Sequence, residues 1–181
     1  GHAFTCPDMI GGGDVGAFAG GAAVEQEHFV RYAQVAALFP MTQFSLSPAR
    51  VLDAEPFEAV KAALDLRAEL LPEILALVEH AAATGEPILR PLAYHYPGLE
   101  HVNDQFLLGE NILVAPVQTK GATERHVVIP PGQWVEIGQS GVSQSQAPDG
   151  DTHLPDAPTV SNTIVTLPVT LTTLPVYRRI G

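Results

Sequence analysis

Two short segments in the first half of the chain hold side chains that could bind a polar ligand. In the first, Asp8 lies at the edge of an apolar stretch, and glycines follow at positions 11–13. Glycines allow a sharp turn that can line a pocket, although an aspartate there can equally cap the turn itself. The second segment holds an amide, an aromatic ring and a hydroxyl: Gln43, Phe44 and Ser45. A glutamine in such a loop can bind a ligand or satisfy nearby backbone groups, so both interpretations stay open.

The spacing of the other reactive residues argues against several kinds of catalytic site. The glycine run lacks the Gly-Lys-Ser/Thr ending of a phosphate-binding loop. The seven histidines are scattered without paired ligand spacing, so we expect neither a metal nor a cofactor. Ser45 and Ser47 lack the Gly-x-Ser-x-Gly pattern of many serine hydrolases. The single cysteine, Cys6, excludes an intrachain disulfide.

The composition is that of a folded, acidic protein. Hydrophobic residues make up 46% of the 181 residues, and the formal net charge is -11. Lysine and arginine never cluster, so nucleic-acid binding is not expected. Charged residues interrupt the most apolar stretch, residues 64–83, so a membrane-spanning segment is not expected either. The chain begins without a signal-peptide pattern, but a leader could have been lost with upstream sequence, so the localisation stays open.

Hydrophobic spacing predicts two helical tracts in the first half. Over residues 24–39, apolar residues recur at intervals of three and four, and Pro40 would end the helix. A second tract begins at Pro56, a residue suited to the first helical turn. We expect Pro72 to break or kink this tract, and Gly85 to form its left-handed C-cap.

The second half predicts short strands separated by Pro, Gly and Asn. The predicted strands span residues 88–96, 111–117, 126–129, 133–137, 163–170 and 175–179. Strands this short and frequent favour an antiparallel sandwich over a parallel sheet. A polar loop at residues 139–157 is expected to be exposed and mobile. The fold class is therefore α/β followed by all-β, with the change near residues 84–87.

Four motifs in a fixed order carry a family resemblance. They are Pro-Asp-Met-Ile-Gly-Gly from Pro7, Phe-Val-Arg-Tyr-Ala-Gln-Val-Ala-Ala-Leu-Phe-Pro from Phe29, Gly-Glu-Pro-Ile-Leu-Arg-Pro-Leu from Gly85, and Asp-Gln-Phe-Leu-Leu-Gly-Glu-Asn-Ile-Leu-Val-Ala-Pro-Val from Asp104. In order and spacing they resemble the α-glycosidases of glycoside hydrolase family 31. The resemblance covers nearly the whole chain except the polar loop. The first motif and the Gln-Phe-Ser after the first helix are typical of one subgroup.

The resemblance implies the last part of a (β/α)₈ TIM barrel at residues 1–86, followed by a proximal C-terminal antiparallel β-sandwich at residues 87–181. It implies a retaining enzyme that hydrolyses terminal α-linked sugars with two aspartates, both expected upstream of this chain. No catalytic residue is assigned here, and we expect the segment alone to be inactive. The implied partners are the carbohydrate substrate and the upstream part of the same barrel. Whether the protein is a homo-oligomer stays open.

The same resemblance assigns the ligand-binding side chains. Asp8 is expected to line the pocket, while Gln43, Phe44 and Ser45 shape the sugar subsite. Many α-glucosidases of the family have Arg-Asn-His where this chain has Gln-Phe-Ser. Their histidine contacts a substrate hydroxyl, and Ser45 takes its position here. A galactoside or another non-glucose sugar is therefore favoured as the substrate.

Residues of the second half are expected to have structural roles. Arg90 and Asp104 would brace the sandwich against the barrel, and Trp134 would pack inside the sandwich instead of stacking on a sugar. A function of another class also stays open, namely a non-catalytic carbohydrate-binding or scaffold module from a degenerate glycosidase. That alternative predicts exposed aromatic side chains along a groove.

Overall fold

A computed structural model describes residues 2–12, 23–138 and 162–180. Its helices are α1 (Gln26–Ala37), the short α2 (Pro48–Val51), α3 (Ala54–Thr84) and a 3₁₀ helix (Leu92–Tyr94). Its strands are β1 (Leu89–Arg90), β2 (Phe106–Leu108), β3 (Ile112–Val114), β4 (Glu124–Ile129), β5 (Gln133–Ile137), β6 (Thr163–Pro168) and β7 (Val176–Ile180). The loop predicted at residues 139–157 lies outside the described residues.

Helix α1 lies within the span of 24–39 that its hydrophobic spacing predicts. Its N-cap is Glu25, whose carboxylate accepts a hydrogen bond from the backbone N–H of His28. The buried side follows intervals of one, three and four: Phe29, Val30, Ala33, Gln34, Ala36 and Ala37. The helix ends before Pro40, whose nitrogen has no hydrogen to donate.

Helix α3 is one continuous helix, so Pro72 does not break the predicted tract. Pro72 is exposed, and so is Ala68, whose carbonyl loses its intrahelical donor. Water can solvate a carbonyl on that side, while the buried positions on the opposite side keep the helix packed. The predicted C-cap is confirmed, because Gly85 has a φ of 79° and its N–H donates to the carbonyl of Ala81.

The described strands form antiparallel sheets, as the sequence predicts. One sheet has the order β1-β2-β3-β7-β5, and the other pairs β4 with β6. Leu113 of β3 lies opposite Tyr177 of β7, and Val127 of β4 lies opposite Val165 of β6. Strand β5 has the predicted bounds, residues 133–137.

The strand predictions fail in two places. The predicted strand at residues 88–96 contains only the two-residue β1 and then the 3₁₀ helix. Pro91 follows β1 and cannot donate a hydrogen bond to a neighbouring strand, so pairing ends there. Strand β2 is absent from the predictions because its three residues are all apolar and show no alternation.

In the residues that the structure describes, the core consists of three clusters of buried side chains. One joins α3 to the larger sheet, and another surrounds Ile10, α1 and the start of α3. The remaining cluster draws on both sheets, with Leu113, Val127 and Trp134 among its members. Trp134 is buried, and its indole N–H donates to the carbonyl of Pro130 (3.0 Å). Trp134 therefore packs in the core, as predicted.

Arg90 and Asp104 contact residues of the second half of the chain or residues at the point where that half begins. The buried guanidinium of Arg90 donates to the carbonyl of Pro87 and forms an ion pair with Glu110. Asp104 pairs with Arg125 of β4. Neither contact reaches α1 or α3, whereas a second ion pair joins Arg90 to Glu86 just after α3, so the bracing role stays a prediction.

Helix α1 makes contacts that join the two halves. Arg31 donates hydrogen bonds to the carbonyls of Thr170 (3.0 Å), Leu171 (3.3 Å) and Thr173 (3.2 Å). The carboxylate of Glu27 accepts from the backbone N–H of Gly121 at 3.0 Å. These links are between residues far apart in sequence, which explains why local patterns do not predict them.

Candidate functional site

The two segments predicted to bind a ligand pair with each other in parallel. Ile10 and Phe44 form a parallel bridge. The N–H of Ile10 donates to the carbonyl of Gln43 (3.0 Å), and the N–H of Ser45 donates to the carbonyl of Ile10 (2.9 Å). Helix α1 lies between the segments in the chain, which is the β-α-β order that parallel pairing requires. The predicted residues, including Asp8, therefore lie at one edge, which we call the Ile10–Phe44 edge.

Neighbouring side chains point to opposite faces of these paired segments. The inner face is apolar, because Ile10 is fully buried and Phe44 stacks on Phe29 of α1 with ring centroids 6.1 Å apart. The outer face carries the residues next to Ile10 and Phe44 in the chain: Met9, Gln43 and Ser45. The structure thus brings Gln43 and Ser45 to one face, while the ring of Phe44 packs behind them against α1.

Asp8 is exposed beside this face. Its Oδ1 accepts a hydrogen bond from the N–H of Met9, the next residue in the chain (2.7 Å), and its turn-capping and pocket-lining roles both stay predictions. Its backbone carbonyl accepts a hydrogen bond from the hydroxyl of Tyr32 on α1 (2.6 Å). Burial, and then the charge of Asp8, raise the pKa of the Tyr32 hydroxyl, which keeps it a neutral donor.

Ser45 lies against a residue that the sequence prediction does not include. The Ser45 hydroxyl donates to Met9 Sδ, with an oxygen–sulfur distance of 3.5 Å. Met9 is 42% exposed, which is high for an apolar side chain. The strand alternation around buried Ile10 is the sequence signal that could have identified Met9, because it assigns Met9 to the face of Ser45.

The turn that follows Ile10 requires glycine. Gly11 has a φ of 76°, and a β-carbon there would lie 2.7 Å from the ring of Phe29. The N–H of Gly12 donates to the carbonyl of Met9 (2.9 Å), which closes the turn. A β-carbon at position 12 would lie 2.9 Å from the carbonyl oxygen of Met9 and 3.2 Å from Ser45 Oγ, so a side chain there would crowd both atoms.

Two clefts in the described part of the chain lie away from this edge. One, of about 310 Å³, lies between the start of α1 and residues 118–120. The other, of about 410 Å³, is lined by residues that include Thr5, Arg90 and Phe106. Neither lining includes Asp8 or residues 43–45.

The described ranges also limit other kinds of site. They contain no group of three or more His, Cys, Asp or Glu side chains arranged to hold a metal ion. Within them, no helix combines the length and the apolar character that a bilayer span requires. The chemistry that the Ile10–Phe44 edge offers is hydrogen bonding by a carboxylate, an amide and a hydroxyl beside a thioether.

Comparison with known proteins agrees with this fold. Residues 85–181 match the family described as glycosyl hydrolase family 31 C-terminal domain. The family 31 dextranase of Flavobacterium johnsoniae, solved with isomaltotriose, superposes with a TM-score of 0.68 at 25% identity. That match covers 85% of this chain and 18% of the dextranase.

Curated relatives match along most of the chain. The myogenesis-regulating glycosidase of Mus musculus is 41% identical over 142 residues, which are 74% of this chain and 20% of that protein. Alpha-glucosidase 2 of Bacillus thermoamyloliquefaciens is 34% identical over 113 residues, which are 61% of this chain and 13% of that protein. The chain thus spans a fifth or less of the length of these relatives. Because the family match covers more than half of its residues, the chain belongs to glycosyl hydrolase family 31.

Proposed function

We propose that this chain is part of a retaining α-glycoside hydrolase that removes terminal α-linked sugars. Residues 1–86 would form the last units of a (β/α)₈ barrel, and residues 87–181 a β-sandwich packed beside it. The parallel pairing of Ile10 with Phe44 across α1 is the observation that carries the barrel proposal, because barrel strands pair in parallel and alternate with helices. The core cluster shared by both sheets supports the sandwich.

Asp8, Gln43, Phe44 and Ser45 would form one wall of the sugar subsite in this enzyme. Barrel enzymes bind substrate at the carboxyl ends of their strands. The exposed amide of Gln43 can both donate to and accept from sugar hydroxyls, and the hydroxyl of Ser45 lies on the same face. Phe44 would act from behind, since its ring stacks on Phe29 and fixes the backbone between Gln43 and Ser45.

The bond-breaking step would be performed by two carboxylates outside this chain. In a retaining glycosidase one carboxylate attacks the anomeric carbon while the other protonates the leaving oxygen, and water then hydrolyses the glycosyl-enzyme intermediate. The residues described here would hold the sugar, and hydrogen bonds to its hydroxyls that strengthen in the transition state would lower the barrier. The segment alone would therefore be inactive.

The wall is neutral apart from Asp8, which favours an uncharged sugar. The family resemblance puts Gln43 and Ser45 at the positions where many α-glucosidases have arginine and histidine. An amide and a hydroxyl reach less far and carry no positive charge, so the hydroxyl pattern that they recognise would differ from that of glucose. A galactoside, or another non-glucose sugar, is the substrate we propose.

The test is hydrolysis of aryl α-glycosides by the full-length protein, with galactoside, glucoside and xyloside compared. We expect one sugar to be preferred, and proton NMR of the first product to show the α-anomer, since retention requires two displacements. Turnover by residues 1–181 alone would contradict the proposed location of the catalytic carboxylates. A well-folded full-length protein that hydrolyses none of the glycosides would instead favour a binding or scaffold role.

A further inference from the structure

Met9 has no role in the proposed function, yet it contacts the hydroxyl that faces the sugar. We propose that Met9 is a positioning residue for Ser45, whose hydroxyl hydrogen it holds so that Ser45 Oγ acts as a hydrogen-bond acceptor for a sugar hydroxyl. This inference rests on the proposed function and deepens it, because it specifies which way the hydrogen bond to the substrate runs.

The geometry around Met9 carries the first step. Ser45 Oγ lies 3.5 Å from Met9 Sδ and donates to it. The parallel bridge ties the two backbone segments together, because the N–H of Ile10 donates to the carbonyl of Gln43 and the N–H of Ser45 donates to the carbonyl of Ile10. Met9 and Ser45, which flank the bridge, therefore lie side by side on one face.

The chemistry of the two groups carries the second step. A serine hydroxyl has one hydrogen and two lone pairs, whereas a thioether sulfur can only accept. When the hydrogen points to Met9, Ser45 Oγ has only lone pairs to offer to a ligand. Ser45 would then bind a sugar hydroxyl, which can donate, but would gain nothing from a substituent that can only accept.

Gly12 lies beside the same hydroxyl. A β-carbon at position 12 would lie 2.9 Å from the carbonyl oxygen of Met9 and 3.2 Å from Ser45 Oγ. Glycine at this position therefore keeps a side chain away from the hydroxyl that would bind the sugar.

Sugars in which one hydroxyl is replaced by hydrogen or by fluorine show whether Ser45 accepts a hydrogen bond from the sugar or donates one to it. Fluorine accepts weakly but cannot donate, so both replacements should lower kcat/KM similarly in the wild-type protein at the position that contacts Ser45. The variant Met9→Leu keeps the volume of the side chain but removes the acceptor, which frees the Ser45 hydrogen to donate to fluorine. The ratio of kcat/KM for the fluoro and deoxy glycosides should then rise about two- to fivefold, the size expected of a weak hydrogen bond.

Fluorine also has an inductive effect on the kcat/KM of the fluoro glycoside. This effect belongs to the substrate, so it is the same in the wild-type protein and in each variant, and it cancels when their ratios are compared. Met41→Leu is the matched control, because Met41 is 51% exposed and is the other methionine of the chain. We expect no change of the ratio in Met41→Leu. The combination of Met9→Leu with Ser45→Ala should return the ratio to its wild-type value. A ratio in folded Met9→Leu that equals the wild-type ratio at every ring position would overturn the inference.

Failure of the proposed function gives a different result. If the wild-type protein hydrolyses no glycoside, the hydrolase proposal fails. The comparison is then made with binding affinities: isothermal titration calorimetry measures the affinities of the free fluoro and deoxy sugars, and their ratio replaces the ratio of kcat/KM values. A two- to fivefold rise of that affinity ratio in Met9→Leu would still support the role of Met9. Such a rise corresponds to about 0.5–1 kcal/mol, the free energy of a weak hydrogen bond. A wild-type protein that binds none of the sugars would overturn both proposals.

Discussion

Gly11 and Phe29 determine how sharply the chain turns after Ile10. Gly11 adopts a left-handed φ of 76°, and the ring of Phe29 fills the space that a side chain at position 11 would need. Gly85 has a similar φ of 79°, but no atom lies within 4 Å of the position of its missing β-carbon. The two glycines therefore share a backbone constraint and differ only in packing.

Alanine substitutions at these glycines separate backbone strain from steric overlap. We expect Gly85→Ala to lower the free energy of unfolding by about 1 kcal/mol, the strain of a left-handed alanine. Gly11→Ala should lower it by about 2–4 kcal/mol, since overlap with the Phe29 ring adds to that strain. Denaturant titration of both variants measures the difference. Equal losses would show that Phe29 moves away without cost.

His95 makes the stability of the protein depend on pH. Its Nε2 lies 2.8 Å from Arg90 Nη1, so the neutral imidazole can accept from the guanidinium. Burial, and then the charge of Arg90, lower the pKa of His95 below its model-compound value of 6.5, and the carboxylates of Glu86 and Glu110 oppose this shift only in part. The unfolded chain therefore binds a proton at His95 more readily than the folded chain does.

The sign of the pH effect follows from that difference. The contribution of His95 to the free energy of unfolding is fully present above about pH 6.5. It is lost as the pH falls through the lower pKa that His95 has in the folded state. We expect His95→Gln to flatten the decrease of the free energy of unfolding between about pH 7 and pH 5. His80→Gln, at an exposed histidine of α3, is the matched control. An unchanged pH profile in His95→Gln would contradict the assignment.

Among the helices, α3 holds the end of α1 next to the candidate site. The guanidinium of Arg67 donates to the carbonyls of Ala37 (2.7 Å), Phe39 and Pro40 (3.0 Å). The last carbonyls of a helix have no donor within the helix, and a cation there also favours the helix dipole. Burial lowers the pKa of Arg67, but a guanidinium remains charged at neutral pH. The chain continues from Pro40 directly into the segment that holds Gln43.

Removal of this cap should cost far more than removal of a surface charge. We expect Arg67→Met to lower the free energy of unfolding by about 2–4 kcal/mol, because several carbonyls lose a charged donor at once. Lys61→Met on the same helix breaks only an exposed pair with Asp65 and should leave the free energy of unfolding nearly unchanged. Denaturant titration compares the two variants. A similar loss in both would contradict the capping role.

The helices and the antiparallel strands follow from local patterns, whereas the exceptions depend on packing. Apolar spacing predicts α1, and a short apolar run between turn residues predicts β5 with its observed bounds. Pro72 does not end α3, because burial on the opposite side of the helix outweighs one missing hydrogen bond. Three apolar residues without alternation do not reveal β2, which is fixed by its neighbours β1 and β3.

The candidate site could be predicted only in part, for a similar reason. Motifs identified Asp8 and residues 43–45, but their pairing is a contact across more than thirty residues of chain, and spacing cannot supply it. The outward direction of Met9 and the inward direction of Phe44 become clear only when Ile10 is known to be buried. The sequence thus indicates which segments matter, and the strand pairing decides which side chains share a face.

Across the whole molecule, Arg31 joins α1 to the turn before β7. Its side chain is 10% exposed, and its guanidinium reaches the carbonyls of Thr170, Leu171 and Thr173. Gln34 adds a hydrogen bond to the carbonyl of Leu171 (2.9 Å). The helix beside the candidate site is therefore joined to the turn before β7 mainly by one planar group with several donors.

A lysine at position 31 tests the importance of that planar group. Arg31→Lys keeps the charge but cannot reach three carbonyls together, so we expect the free energy of unfolding to fall by about 1–3 kcal/mol. Amide hydrogen exchange should also become faster near residues 170–173. Arg50→Lys, at an exposed arginine of α2, should change neither quantity. Unchanged exchange in Arg31→Lys would show that other contacts join these elements.

The role of Gln43 in sugar binding is the claim on which the functional proposal depends most. The measurement is kcat/KM of the full-length protein and its Gln43→Ala variant on the preferred aryl α-glycoside, with Ser47→Ala as the control outside the candidate site. We predict a loss of about ten- to a hundredfold in Gln43→Ala, the effect of losing one or two hydrogen bonds to the sugar, and no change in Ser47→Ala. Wild-type kcat/KM in a folded Gln43→Ala variant would contradict the assignment of the Ile10–Phe44 edge to the sugar subsite.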